Sequence, residues 1–148
     1  GTIADSLAIA EYLAEQFPDA GLWPKDTAAR AQARSACAQM HSGFFAMRGN
    51  MPFDLSHDAP LSPVPADVQA DIERMSALWA EWRSVATEPG PYLFGRISLA
   101  DVFFAPVAVR LRTYQVTLSA VDEAYVQTLY QWPAFKAWQK AGLEEIKR

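Results

Sequence analysis

Apolar residues recur at intervals of three and four along most of the chain, so the pattern is helical from near its first residues to its last. From Asp5 to Phe17, Leu7, Ile9, Leu13 and Phe17 form one face, with Glu11, Glu15 and Gln16 opposite. Asp5 or Ser6 suits the N-cap, and Pro18 stops the helix. The stretch from Phe17 to Asp26, FPDAGLWPKD, is rich in turn formers and reads as a linker. A long helix is then predicted from Asp26 to about Asn50, with Ala29, Ala33, Ala36, Met40, Phe44 and Met47 recurring at threes and fours. Residues 51–65 hold Pro52, Pro60, Pro63 and Pro65 and are expected to form an irregular loop.

The period is clearest from Ala66 to about Ala86, where Val68, Ile72, Met75, Trp79, Trp82 and Ala86 alternate steps of four and three. Ser98-Leu99-Ala100-Asp101 has the form of a capping box, with Ile97 and Val102 at the staple positions around it. The following VFFAPVAVRL is apolar nearly all round and is expected at the centre of the core, kinked or broken at Pro106. Two further helices fit Ser119–Gln131 and Pro133–Ile146, the second with proline at its first position. No strand pattern of useful length occurs, so the expected fold class is all-α.

Composition narrows the function classes. Of 148 residues 51% are apolar, which excludes a disordered chain and suits one compact domain. Cys37 is the only cysteine, which rules out an internal disulfide or a CxxC site and predicts a reducing, cytoplasmic setting. A net charge of −4 argues against a nucleic-acid partner, and no apolar run reaches the roughly 18–20 residues of a membrane span. His41 and His57 lie sixteen residues apart without a ligand-spaced companion, so no metal site is expected. The glycines form no phosphate-cradling motif. Cys37, in an alanine-rich helix with His41 one turn on, reads as a structural thiol.

Two features remain as candidate chemistry. Asp5-Ser6 opens a helix, where free N–H groups and the dipole favour an anion. The pair could hold the carboxylate and ammonium of an amino-acid-like ligand, or serve only as a cap. Met40, Phe44 and Met47 share a helix face with Arg48 close by; they could line an apolar pocket or simply pack the core.

Four segments, taken in order, resemble the glutathione S-transferase family. DSLAIAEYL (5–13) is similar to the family's E/D-S-x-A-I-x-x-Y-L segment, the last helix of its thioredoxin-like domain. FPDAGLWPKD is similar to the bridge that follows. PYLFGRISLADVFFAPVAVRL (91–111) resembles the Phe-Leu-x-Gly … Ser-x-Ala-Asp signature, and QWPAFKAWQK (131–140) the terminal helix. The resemblance implies a remnant of the thioredoxin-like glutathione-binding domain at residues 1–17, a linker at 18–25 and an all-α C-terminal helical bundle at 26–148. It points to a bacterial-type member of unassigned class.

Further expectations follow from the resemblance. Ser6, and to a lesser degree Asp5, would hold the γ-glutamyl end of glutathione, the co-substrate. Met40, Phe44, Met47 and Arg48 would line the electrophile pocket, with Ser98 and Asp101 a structural capping box. The implied activity is glutathione-dependent conjugation or reduction of small hydrophobic electrophiles, a detoxifying reaction of a cytoplasmic homodimer. The family's thiol-activating Tyr, Ser or Cys has no counterpart among these residues, so the catalytic residue is expected in a segment preceding Gly1, in a longer protein. The alternative is a non-catalytic helical interaction module of the same fold.

Overall fold

Asp5 accepts the Leu7 N–H at 2.8 Å and so starts α1, Ser6–Gln16. In the computed structural model, which describes residues 1–147, seven α-helices account for the regular structure. Arg148, the last residue of the expected helical domain, lies outside the described residues. After α1 the linker folds into a single 3₁₀ turn, Pro18–Ala20, closed by Gly21 in the left-handed conformation. Asp26 accepts the Ala29 N–H at 2.8 Å and caps α2, Thr27–Ser42.

The expected single helix from Asp26 to Asn50 is two. Gly43 turns extended after α2, Phe44 takes a positive φ of 55°, and α3 runs from Phe45 to Asn50. A left-handed phenylalanine costs about 1–2 kcal/mol. The cost is offset by packing, because the Phe44 ring is buried edge-on against Phe104, centroids 6.4 Å apart. The remaining helices are α4 (Ala66–Ser84), α5 (Leu99–Thr113), α6 (Ala120–Gln131) and α7 (Pro133–Ile146).

Pro106 does not break α5. The bond it forfeits is the one to the Val102 carbonyl, and Val102 lies on the exposed side of the helix. On the other faces Phe104, Ala105, Val107, Ala108 and Val109 are buried and hold the helix together.

The chain packs as two compact units, Gly1–Phe44 with Leu78–Phe104 and Phe45–Ala77 with Ala105–Arg148. In the first, Phe104 is the hub: Trp79 meets it edge-on at 5.7 Å and Trp82 lies tilted on it at 5.6 Å. The alanine face of α2 is buried there, and the predicted core positions Ala29, Ala33 and Ala36 all lie inside. By contrast the apolar face of α1 is open: Ile9, Tyr12, Leu13 and Phe17 are exposed and only Ala10 is buried.

In the second unit Met47, Met51, Val68, Met75, Val126 and Leu129 form the core. Buried Asp122 accepts hydrogen bonds from the Ser76 and Ser119 hydroxyls, while Ser119 Oγ in turn accepts the Asp122 N–H and caps α6. The proline-rich loop is irregular but anchored. Arg110 Nε donates to the Met51 carbonyl at 2.8 Å, Tyr114 Oη to Pro52 at 3.2 Å, and the Ala59 N–H to Thr113. Among the described residues there is no strand, only isolated bridges at Tyr92–Gly95 and Phe94–Arg96.

Candidate functional site

The Ser98–Asp101 box forms as the spacing predicts, and it reaches further than a cap. Asp101 Oδ2 accepts the Ser98 N–H at 2.8 Å, and Ser98 Oγ accepts the Ala100 N–H at 3.3 Å. The other carboxylate oxygen turns back to accept the Leu93 N–H at 3.2 Å, so one buried side chain ties the 92–95 turn to the start of α5. That turn needs Gly95 at φ 85°, since a Cβ there would overlap the Glu88 carbonyl. Asp101 is wholly buried, and both of its carboxylate oxygens accept from backbone N–H groups.

At the start of α1 the structure joins three side chains. Asp5, at a positive φ of 82°, points one carboxylate oxygen at Leu7 and the other at His41 Nε2, 2.9 Å away. His41 Nδ1 lies 3.3 Å from Ser6 Oγ. The Leu7 N–H, and after it the charge of His41, hold the Asp5 carboxyl below the usual carboxylate range. All three side chains are exposed, so a ligand has access. Farther along the same helix pair, Arg34 grips Glu11 with two bonds of 2.7 and 3.0 Å. That contact lowers the Glu11 pKa and raises that of Arg34. The sequence singles out His41 only as a metal-ligand candidate without a ligand-spaced companion. Nothing in the spacing of residues 5, 6 and 41 links them; the fold does.

The second candidate group is placed differently from a pocket wall. Met40, Phe44 and Met47 are 7%, 2% and 0% exposed, so their side chains lie within the core of their respective units. Arg48 is half-buried, and its charge lies near enough to Arg110 to lower the latter's pKa, after the larger effect of burial. The most accessible large side chain of this stretch is Phe45, 72% exposed at the first position of α3, which periodicity passed over because it assumed an unbroken helix. A separate cleft of about 220 Å³ in the second unit is lined by Met51, Leu61, Val64, Ile72, Tyr114 and Val116 among others. None of Met40, Phe44, Met47 or Arg48 contributes to it.

Cys37 is fully buried, and burial pushes its thiol up to about 12. A thiol reagent is therefore expected to leave native Cys37 unmodified and to label it fully once the protein is unfolded in denaturant, as a colorimetric thiol count would show. The same shift has a pH consequence. The unfolded thiol ionises near 9.0 and the folded one only near 12, so unfolding releases a proton in that range. Stability from this group is complete below pH 9 and declines as pH rises towards 12; Cys37→Ala should lack that part of the decline.

Among the described residues no group of three His, Cys, Asp or Glu side chains is placed to hold a metal ion, and no helix is long and apolar enough to cross a membrane. Over residues 62–141 the chain matches the family model for the glutathione S-transferase C-terminal domain. The matched segment contains Ser98 and Asp101; Asp5, Ser6 and the residues from Met40 to Arg48 precede it. No curated protein sequence matches the chain.

Proposed function

The chain belongs to the glutathione S-transferase family through its C-terminal domain, and from that premise we propose that it acts in glutathione-dependent conjugation or reduction of small hydrophobic electrophiles. Its part would be to hold one end of glutathione and to shape the electrophile's surroundings. The observation that carries this reading is the exposed group at the start of α1. Asp5 offers a carboxylate for the ligand's ammonium, and Ser6 offers a hydroxyl for its carboxylate, both at the positive end of a helix. A γ-glutamyl group carries those two charges on one carbon.

For the electrophile side, Arg48 and Phe45 on α3 are the accessible members, and buried Met47 would act by fixing that helix. An electrophile that becomes anionic on thiolate attack would be favoured beside Arg48. Activation of the thiol is not assigned to any residue described here. We further propose a cytoplasmic homodimer, which light scattering would test by mass.

The direct test is retention on immobilised glutathione and thiol transfer to a model electrophile by the protein carrying this chain. Ser6→Ala is expected to weaken glutathione about 10- to 100-fold by removing one charge-assisted hydrogen bond. Unchanged affinity in that variant would remove Ser6 from the site. Binding without any thiol transfer would favour the non-catalytic helical module.

A further inference from the structure

Helix α3 is too short to hold its own shape. It has six residues, and an isolated helix in water needs about 12–15 to be even marginally stable. The N–H groups of its first turn have no carbonyl within the helix to donate to. The chain offers them no local cap. Phe44, the residue before α3, has no side-chain acceptor, and the Ser42 hydroxyl turns back to donate to the Ala38 carbonyl at 2.8 Å.

The acceptor comes from another helix instead. Asp71 Oδ2, 24 residues further on in α4, accepts the Met47 N–H at 3.0 Å. Met47 is the third residue of α3, a position whose N–H an N-cap side chain ordinarily takes. Asp71 stands on a fixed base, since Val68, Ile72 and Met75 of the same helix are buried. The far end of α3 is tied as well. The Met51 N–H donates to the Met47 carbonyl at 2.8 Å, and the Met51 carbonyl accepts from Arg110 Nε at 2.8 Å. With that end pinned, the first turn is the part whose placement depends on Asp71.

We infer that Asp71 is a positioning residue for Phe45, holding the first turn of α3 so that this ring is presented in one place. Phe45 is the first residue of α3 and is 72% exposed. Little of its own packing fixes it, so its position follows the backbone of that turn. Asp71 acts on the ring only through the Met47 N–H and the two residues between. The inference rests on the reading of Phe45 as a contact of the electrophile. A ring whose backbone is already fixed loses less freedom when a ligand settles on it. The effect of Asp71 therefore falls on electrophile binding and leaves glutathione binding alone.

The experiment measures thiol transfer from glutathione to chlorodinitrobenzene by the protein carrying this chain, with each substrate varied in turn. Asp71→Ala is expected to raise KM for the electrophile about 3- to 10-fold and to leave KM for glutathione unchanged. Asp71→Asn keeps an acceptor oxygen and should stay within about 2-fold of the unsubstituted protein. Phe45→Ala should raise the same KM, and adding Asp71→Ala to it should change little, because the ring through which Asp71 acts is then gone. A plain loss of stability would lower the amount of active protein and leave both KM values in place. An unchanged electrophile KM in Asp71→Ala, equal rises for both substrates, or fold-changes that multiply in the double variant would overturn the inference while leaving the glutathione assignment standing. Absence of transfer by the unsubstituted protein would overturn the proposed activity and this inference with it. Amide exchange needs no variant. The Met47 N–H should exchange as slowly as interior amides of α4, and fast exchange, as in a frayed first turn, would refute the bond to Asp71.

Discussion

Asp101→Ala is expected to destabilise the protein by about 3–5 kcal/mol, well beyond the roughly 0.5–2 kcal/mol of an ordinary lost cap. The reason is burial. The carboxylate accepts the backbone N–H groups of Leu93 and Ser98, and alanine would strand both away from water. Each stranded donor costs about 1–3 kcal/mol, against a total stability of about 5–15 kcal/mol for a domain. Ser98→Ala leaves the carboxylate and its two backbone partners in place, so it should cost only about 1 kcal/mol. Urea unfolding would show the order directly, with a large fall in midpoint for Asp101→Ala and a small one for Ser98→Ala. Should Asp101→Ala fail to accumulate as folded protein, Asp101→Asn, which keeps one acceptor, should fold with intermediate stability. Equal losses from Ser98→Ala and Asp101→Ala would mean that the link to the 92–95 turn contributes nothing.

Phe104→Ala should cost a similar amount, about 3–5 kcal/mol, by a different route. Its ring is fully buried among Phe44, Trp79 and Trp82, so truncation leaves a cavity bounded by three aromatic rings that cannot collapse together without leaving their rotamers. Phe104→Leu refills most of that volume and should lose only part of the stability. Because Trp79 and Trp82 lie against the ring, near-ultraviolet circular dichroism should change in both variants even where they remain folded. A double-mutant cycle with Phe44→Ala is expected to return a coupling of about 0.5–1.5 kcal/mol for the edge-on pair. A coupling of zero would show that the strained backbone at Phe44 is held by something other than that ring.

Periodicity located every long helix because most of the energy holding these helices comes from burying one face, and that face is written at intervals of three and four. Val68, Ile72, Met75, Trp79 and Trp82 were predicted inside and are inside. The same reasoning failed at Gly43–Phe44. There the apolar period runs on unbroken from Met40 to Met47 although the backbone does not, so a pattern of side chains concealed a break in the chain. Gly43 was the available signal, a glycine placed just past the last helical turn. At Pro106 the local rule allowed a kink or a break, and the helix runs through unbroken with buried residues on either side.

The candidate site was legible only in part. Asp5 and Ser6 stood out as neighbours in sequence at a helix start. His41 did not, because its partnership with them depends on how α1 and α2 lie against each other, and no spacing rule spans thirty-five residues. Met40, Phe44 and Met47 were found as one face, but a face alone does not tell whether a helix looks onto a ligand or into its own core. Burial places all three inside.

The two ties between α1 and α2 have a mechanical meaning. A bar pinned at one point can swivel; pinned at a second, it cannot. Asp5–His41 and Glu11–Arg34 lie six residues apart on α1, roughly 9 Å along its axis at 1.5 Å per residue. Together they resist both rolling and pivoting of that helix. Both pins are solvent-exposed, so the joint is compliant and weakens as salt screens it. Raising ionic strength should therefore loosen α1 against α2 before it affects the aromatic core, and faster amide exchange in α1 would be its first trace.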